Sequence, residues 1–243
     1  MLYCKSDFNQ NPQNLKILVV EDSEFFNKVI YALLSREANL DIDQAVDFKQ
    51  TQALLEKESY DFIILDLNLP DAYGEELVSE IKKLSEAKII ILTAEADIQV
   101  RETLFKKGIL DYLVKDKHFT SSVKSITYAI ESVQKNKQST ILVVDDSVFM
   151  CKQLQNILNI RNYKVQTALN AEDALHILQS QEINTIVLDM ELPDKHGLEF
   201  LQDIKDIDEF CHIPAMVVSA NNDPEIIRKA LKIGASDFIK KRT

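Results

Sequence analysis

The sequence predicts an α/β protein made of two copies of one domain, each with a doubly wound, parallel five-stranded sheet. Short apolar segments alternate with amphipathic ones along the whole chain, the pattern of strands joined by covering helices. Residues 62–74 recur as residues 185–197, each an apolar run that ends in an aspartate, with Pro at +4 and Gly at +8. The four glycines occupy equivalent places in the two halves: Gly74, Gly108, Gly197 and Gly234. A repeat of this length indicates a duplicated domain rather than a solenoid.

The first half contains five strand–helix units. Strands are expected at 16–20, 40–46, up to Asp66, 88–93 and 110–114. Helices are expected after Ser23 or Asp22, either of which can cap the first helix, and at 48–57, 75–84, 97–107 and 119–134. The last helix carries an apolar stripe that is expected to pack on the sheet: Val123, Ile126, Ile130 and Val133.

The same pattern restarts after a short polar linker. Residues 141–147 match 17–23, Asp189 matches Asp66 at an offset of 123, and residues 216–219 and 234–241 match 90–93 and 108–115 at an offset of 126. We therefore expect a flexible tail at 1–14, a first domain at 15–136, a linker at 137–139 and a second domain at 140–243. The second domain is expected to lack its last helix, which would leave apolar sheet surface exposed.

Composition and charge narrow the functional classes. The net charge of -11 argues against direct nucleic-acid binding and suits a cation site. No apolar run approaches the ~20 residues of a membrane helix, and residues 1–13 lack the apolar region of a secretory signal. Cys4, Cys151 and Cys211 are expected to be free thiols in a reducing cytoplasm, and the four histidines form no metal-ligand cluster.

Polar side chains stand at the ends of four strands in each half. The first strand ends in two acids, the third in an aspartate, the fourth in a hydroxyl residue and the fifth in a lysine. In order, they are Glu21, Asp22, Asp66, Thr93 and Lys115, then Asp145, Asp146, Asp189, Ser219 and Lys241. These ends share one edge of a parallel sheet, where ligands bind in open α/β folds. Crowded carboxylates repel one another and would be stabilised by a hard cation such as Mg2+, so the pattern predicts a phosphoryl-transfer site with a carboxylate nucleophile. Helix capping by the acids is the structural alternative, and it is compatible with a metal role.

Both halves resemble the receiver domain of two-component response regulators, over residues 15–136 and 140–243. The resemblance implies a flavodoxin-like (βα)5 fold with strand order 2-1-3-4-5. It also implies that Asp66 and Asp189 are phosphoacceptors, and that Thr93, Ser219, Lys115 and Lys241 bind the phosphoryl group. The resemblance implies that Asp22 and Asp146 bind Mg2+ (or Mn2+) directly and that Glu21 and Asp145 act largely through water. The remaining implied metal-site residues are Asp66 and Asp189, with the backbone carbonyls of Asn68 and Glu191. Tyr112 and Phe238 fall at the rotating aromatic switch of the family, with core packing as the alternative.

The sequence departs from the family after each lysine, where Asp116 and Arg242 replace a common proline. The loop there is expected to differ in shape. A second difference separates the halves: the residues two past the acceptor and two past the hydroxyl are Asn68 and Glu95 in one half, and the exchanged pair Glu191 and Asn221 in the other. By resemblance, this exchange predicts a shorter phosphoryl lifetime on Asp66.

The resulting hypothesis is a phosphorylation-dependent signalling module rather than a stand-alone enzyme. Its partners would be a histidine kinase or phosphotransfer protein, with a possible homodimer through the strand 4/strand 5 face and no nucleic acid or membrane. An output domain beyond Thr243 is expected, with a diguanylate cyclase as the first guess. One alternative is a docking module with one unphosphorylated receiver. The other is a phosphatase of the haloacid dehalogenase type, which has a second acid two residues after its nucleophile. It is disfavoured because Asn68 stands at that place in one half and Glu191 in the other, and because both aspartates are expected at the end of the third strand of their unit.

Overall fold

The structure is a computed structural model that describes residues 14–36, 40–115, 119–221 and 223–241. Four predictions concern residues outside these ranges: the tail at 1–13, the free thiol of Cys4, and the loop positions Asp116 and Arg242.

The first five-stranded sheet alternates with five helices. The elements are β1 (Leu15–Val20), α1 (Glu24–Leu34), β2 (Leu40–Ala45), α2 (Phe48–Leu55), β3 (Phe62–Leu65), α3 (Gly74–Leu84), β4 (Lys88–Thr93), α4 (Ile98–Lys106), β5 (Asp111–Val114) and α5 (Phe119–Asn136). The strands are parallel and lie in the order β2-β1-β3-β4-β5. All strand carboxyl ends therefore lie at one edge, as predicted.

The second sheet repeats this arrangement. Its elements are β6 (Thr140–Val144), α6 (Val148–Ile160), β7 (Lys164–Ala168), α7 (Ala171–Ser180), β8 (Thr185–Asp189), α8 (Gly197–Asp206), β9 (Ala215–Ser219), α9 (Pro224–Ile233) and β10 (Asp237–Lys240). The parallel order β10-β9-β8-β6-β7 equals 2-1-3-4-5 when read from the other edge. The predicted fold class is confirmed, and among the described residues no helix follows β10.

The chain forms two compact units, residues 1–130 and 131–243, and the division falls within α5. The predicted domain limits of 15–136 and 140–243 remain predictions.

The central strands are buried on both faces in the first unit. One face packs on α3 through a core cluster that contains Ile63, Leu65 and Leu77. Side chains on the other face are also buried, namely Phe62, Ile64, Ile90 and Leu92, as is the α5 stripe of Val123, Ile126, Ile130 and Val133. Burial on two faces explains why β3 and β4 read as continuous apolar runs.

The matching face of the second sheet is more open. Val187, Met216 and Val218 are half-buried where their first-unit equivalents are buried, and Ile239 of β10 is exposed. The described part of the second unit has no counterpart of α5 to cover this face. The equivalent strands are therefore less protected from water in the second unit.

Hydroxyl residues cap the first helix of each unit. Ser23 accepts a hydrogen bond from the backbone N–H of Phe26, and Ser147 accepts one from Met150. Of the two predicted caps, Ser23 is the one used, which leaves the Asp22 carboxylate exposed at the sheet edge.

Candidate functional site

Lys115 and two carboxylates meet at the carboxyl edge of the first sheet. Its Nζ lies 2.5 Å from Asp66 Oδ2 and 2.7 Å from Glu21 Oε2. The Lys115 side chain is only 6% exposed, so it is not a surface lysine that reaches into water. Residues 49 and 94 positions apart in the chain are joined here because β1, β3 and β5 end at one edge.

The second sheet holds an equivalent trio with a more open lysine. Lys241 Nζ lies 2.7 Å from Asp189 Oδ2 and 2.8 Å from Asp145 Oδ2, but its side chain is 19% exposed. Burial alone would lower the pKa of Lys241, but hydrogen bonds to the two carboxylates outweigh burial and raise it. The ammonium therefore stays charged at neutral pH.

Three carboxylates crowd together in each site. Oxygens of Glu21, Asp22 and Asp66 lie within 4.8 Å of one another, as do those of a second set, Asp145, Asp146 and Asp189. Burial raises the pKa of the Glu21 carboxyl, although Lys115 opposes the shift. In the second site burial likewise raises the pKa of Asp189 against the effect of Lys241.

An oxygen-only set of carboxylates fits a hard divalent cation such as Mg2+ or Mn2+. Such an ion would relieve the repulsion that the single lysine only partly neutralises. The carboxylates present in each site therefore suit such an ion. The loop residues Asn68 and Glu191, predicted to add carbonyl ligands, lie two residues after Asp66 and Asp189.

Buried hydroxyl groups stand at the ends of β4 and β9. Thr93 is fully buried and its Oγ1 accepts from the backbone N–H of Glu95, at 3.3 Å. Ser219 is 4% exposed and its Oγ accepts from the N–H of Asn221, at 3.1 Å. Each hydroxyl proton can still be donated to an anion in the site.

The loops that follow Asp66 and Asp189 differ. In the first site, Asn68 Nδ2 donates to Glu95 Oε1 at 3.3 Å, which links the loops after β3 and β4. In the second site, Asn221 Oδ1 instead accepts from the backbone of Asp223, and Glu191 is exposed. The exchange of Asn and Glu between the two sites is therefore accompanied by the loss of the side-chain hydrogen bond that links the two loops in the first site.

Tyr112 and Phe238, the predicted switch residues, have different surroundings. Tyr112 is buried and its hydroxyl donates to the carbonyl of Glu95 at 2.9 Å. Burial raises the pKa of this phenol. Phe238 is half-buried against the core of the second unit. Core packing is observed for both rings, and their movement remains a prediction.

Two aspartates in the loops after β3 and β8, which were not among the predicted site residues, bind the start of the helix that precedes each of these strands. Asp71 accepts hydrogen bonds from the backbone N–H groups of Phe48 and Lys49, at 2.8 and 3.0 Å, at the start of α2. Asp194 accepts equivalent bonds, both at 3.0 Å, from Ala171 and Glu172 at the start of α7. The sequence did carry a signal for these two residues, because an Asp follows the Pro in both repeated motifs.

Other neighbours of the sites were also missed. Asn27 Nδ2 donates to the carbonyl of Glu21 at 2.9 Å, and in the second unit the thiol of Cys151 takes this place, 3.3 Å from the carbonyl of Asp145. The ring of Phe26 lies beneath Lys115 Nζ, 4.9 Å from it. These contacts depend on how the first helix packs behind each site, which residue type alone does not reveal.

Comparison with known proteins places both units in one family. The family model described as response regulator receiver domain matches residues 17–127 and 141–243. Two solved structures of two-component system response regulator/GGDEF domain proteins are similar over 94% of this chain and 92% of theirs, at 26% identity and TM-scores of 0.77 and 0.75.

Curated relatives match about one receiver. The two-component response regulator ORR12 of Oryza sativa subsp. japonica is 35% identical over 102 residues, 42% of this chain and 84% of ORR12. The transcriptional regulatory protein KdpE of Staphylococcus aureus is 36% identical over 104 residues, 43% of this chain and 44% of KdpE. The chain thus spans less than half of the length of KdpE.

None of the helices in the described part of the chain is long and apolar enough to cross a membrane. The two parallel sheets, the repeated cluster of acids, hydroxyl and lysine at their edges, and a family model that matches most of both halves lead to one conclusion. The chain belongs to the response regulator receiver domain family of two-component signalling, and it contains two receivers in tandem.

Proposed function

We propose that each receiver accepts a phosphoryl group on the aspartate at the end of its third strand, Asp66 or Asp189. The donor would be a histidine kinase or a phosphotransfer protein in the cytoplasm. The observation that carries the proposal is the paired cluster: in both units a lysine contacts the aspartate that follows the third strand or ends it, and a buried hydroxyl ends the next strand.

The proposed step is an in-line transfer. A carboxylate oxygen of Asp66 attacks phosphorus, the P–N bond to the donor histidine breaks, and its electron pair stays on the imidazole nitrogen. The Lys115 ammonium then pairs with a phosphoryl oxygen, and the Thr93 hydroxyl donates to another. In the second receiver Lys241 and Ser219 would act on Asp189 in the same way.

Glu21, Asp22, Asp66 and the Asn68 carbonyl would hold Mg2+ or Mn2+ in the first receiver. Asp145, Asp146, Asp189 and the Glu191 carbonyl would hold the ion in the second. When bound, the cation would supply positive charge that lowers the repulsion between carboxylates and phosphoryl oxygens.

The readout of phosphorylation would be a change of the face around β4 and β5. Movement of Thr93 toward the phosphoryl group would pull on the loop that holds the Tyr112 hydroxyl, because that hydroxyl binds the Glu95 carbonyl in the same loop. This face could serve as a homodimer interface.

An output domain beyond Thr243, a diguanylate cyclase, is supported by the similarity to two response regulator/GGDEF proteins. Any enzymatic output would reside there. Reading the native gene past Thr243 tests this part of the proposal: a continuous frame that encodes such a domain is expected, and a frame without one contradicts it.

Acceptance of the phosphoryl group can be tested by intact-mass analysis with acetyl phosphate and Mg2+. We expect two additions for the wild type, one each for Asp66→Asn and Asp189→Asn, and none for the double variant. Asp208→Asn, an exposed acid outside both sites, is the matched control and should retain two. Additions that persist in the double variant would contradict the assignment. An unmodified Asp66→Asn protein would mean that the second receiver serves only as a docking surface.

A further inference from the structure

The Lys115 ammonium has a third partner besides its two carboxylates. The ring of Phe26, on the first turn of α1, lies 4.9 Å from Lys115 Nζ, within the range of a cation–π interaction. The Phe26 ring is itself packed edge-on against Phe25, with centroids 5.5 Å apart. One side of the ammonium therefore faces two carboxylates and another faces an aromatic ring.

The second receiver has the same ion pairs without the ring. The repeat places Met150 at the position of Phe26, and no aromatic ring lies over Lys241 among the described residues. The exposed fraction of the lysine side chain rises from 6% for Lys115 to 19% for Lys241. Both lysines contact two buried carboxylates. The surroundings of the two ammonium groups differ at the first helix, which carries Phe26 in one receiver and Met150 in the other.

We propose that Phe26 is a positioning residue that holds the Lys115 ammonium against Asp66 in the first receiver. The ring attracts the cation electrostatically, and it blocks the path by which a flexible lysine side chain would turn toward water. A lysine held in this way needs little reorganisation to meet an incoming phosphoryl oxygen, because it already occupies the edge of the site.

The proposal rests on the proposed function only for its effect on phosphoryl loading. Loss of the ring should slow loading of Asp66 about fivefold, which is about 1 kcal/mol at 1.4 kcal/mol per factor of ten. Loading of Asp189 in the same molecule should not change, because Phe26 belongs to the first receiver.

The test compares Phe26→Tyr, Phe26→Trp and Phe26→Leu in the full chain. Leucine keeps an apolar side chain but has no π face, whereas tyrosine and tryptophan keep the face. Loading of Asp66 is timed with acetyl phosphate and Mg2+ in an Asp189→Asn background, and the same Phe26 variants in an Asp66→Asn background serve as controls. Two-dimensional proton–carbon NMR of the lysine ε-methylene groups reports the ring directly, since a ring current shifts Lys115 upfield of Lys241.

We expect tyrosine and tryptophan to keep the upfield shift and the loading rate, and leucine to lose both. Equal loading by the leucine and tyrosine variants, or a Lys115 signal that is unchanged by leucine, would overturn the inference. If neither aspartate accepts a phosphoryl group in any variant, the proposed function fails, and the NMR signal alone then decides whether Phe26 positions Lys115.

Discussion

Lys115 and Lys241 make matching ion pairs in the two receivers, but the first lysine is enclosed by protein and the second is partly open to water. The first site also has a link between its loops, from Asn68 to Glu95, where the second has an exposed Glu191. The two sites therefore share the groups placed by strand ends and differ in those placed by helices and loops. Duplication preserved the chemistry of the sheet edge and left its surroundings free to diverge.

Gly74 and Gly197, eight residues after Asp66 and Asp189, provide the largest expected contrast. A Cβ on Gly197 would lie 2.3 Å from the carbonyl oxygen of Asp189 and 2.8 Å from Met190 Cα, and backbone atoms cannot easily give way. A Cβ on Gly74 would meet nothing within 4 Å, but Gly74 has a φ of +66°, which L residues rarely adopt. Gly197 does not have a positive φ, so glycine is required there by the close approach of the backbone rather than by its conformation.

We expect Gly197→Ala to destabilise the second unit by about 3 kcal/mol and Gly74→Ala to destabilise the first by about 1 kcal/mol. Both losses of unfolding free energy can be measured by urea unfolding. Hydrogen exchange detected by mass spectrometry serves as the probe, because it observes each unit separately. Equal losses would show that the Asp189 carbonyl moves aside at little cost.

The exchanged loop residues should give the two phosphoryl groups different lifetimes. Hydrolysis needs a water in line with the bond to the leaving aspartate, and these residues flank that approach by resemblance to the family. Neutral Asn68 can bind a water there, whereas Glu191 places a carboxylate beside the acceptor loop. The phosphoryl group on Asp66 is therefore expected to decay faster.

Loss of the phosphoryl group is to be followed in Asp189→Asn and Asp66→Asn at the same Mg2+ concentration and pH. The rate of loading is to be measured in a separate experiment. Glu191→Asn combined with Asn221→Glu should shorten the lifetime on Asp189 about fivefold, which corresponds to about 1 kcal/mol on the barrier. The reverse exchange, Asn68→Glu with Glu95→Asn, is the matched control and should lengthen the lifetime on Asp66. Equal half-lives, or faster loss from Asp189, would refute the assignment.

The loop anchors Asp71 and Asp194 should show the smallest effects and no difference between the units. Each accepts two backbone N–H groups at the start of the second helix, so Asp71→Ala and Asp194→Ala should lower the unfolding midpoint slightly and equally. If the two variants lowered the unfolding midpoint by different amounts, the loops that contain Asp71 and Asp194 would also differ between the receivers.

The contribution of Asp71 should also depend on pH. The backbone N–H of Phe48 is the main cause that lowers the pKa of Asp71 below its ordinary value of 3.8. A lowered pKa in the folded state means that the stabilisation is fully present above 3.8 and is lost as the pH falls through the folded value. Thermal unfolding should therefore show the difference between wild type and Asp71→Ala shrinking below pH 3.8, and a constant difference would contradict the anchoring role.

The sequence by itself determined the two parallel sheets and the strand ends that carry the acids, hydroxyls and lysines. The apolar periodicity and the few glycines are local signals of strands, helices and turns. Each signal occurs in both halves of the chain, so the repeat supplies every one of them twice. Convergence of Asp66 and Lys115 then followed from topology alone, since parallel strands present their carboxyl ends at one edge.

Only the tertiary structure decided how each site is enclosed. The ring of Phe26 over Lys115, the approach of Gly197 to the Asp189 backbone, and the bonds from Phe48 and Lys49 to Asp71 join segments that lie far apart or turn sharply. Such contacts depend on helix placement and loop shape to within about an ångström, because hydrogen bonds and close packing act over short distances. The sequence shows that residues such as Phe26 and Met150 differ between the repeats, but residue types and their spacing do not specify which of these differences lie against the lysines.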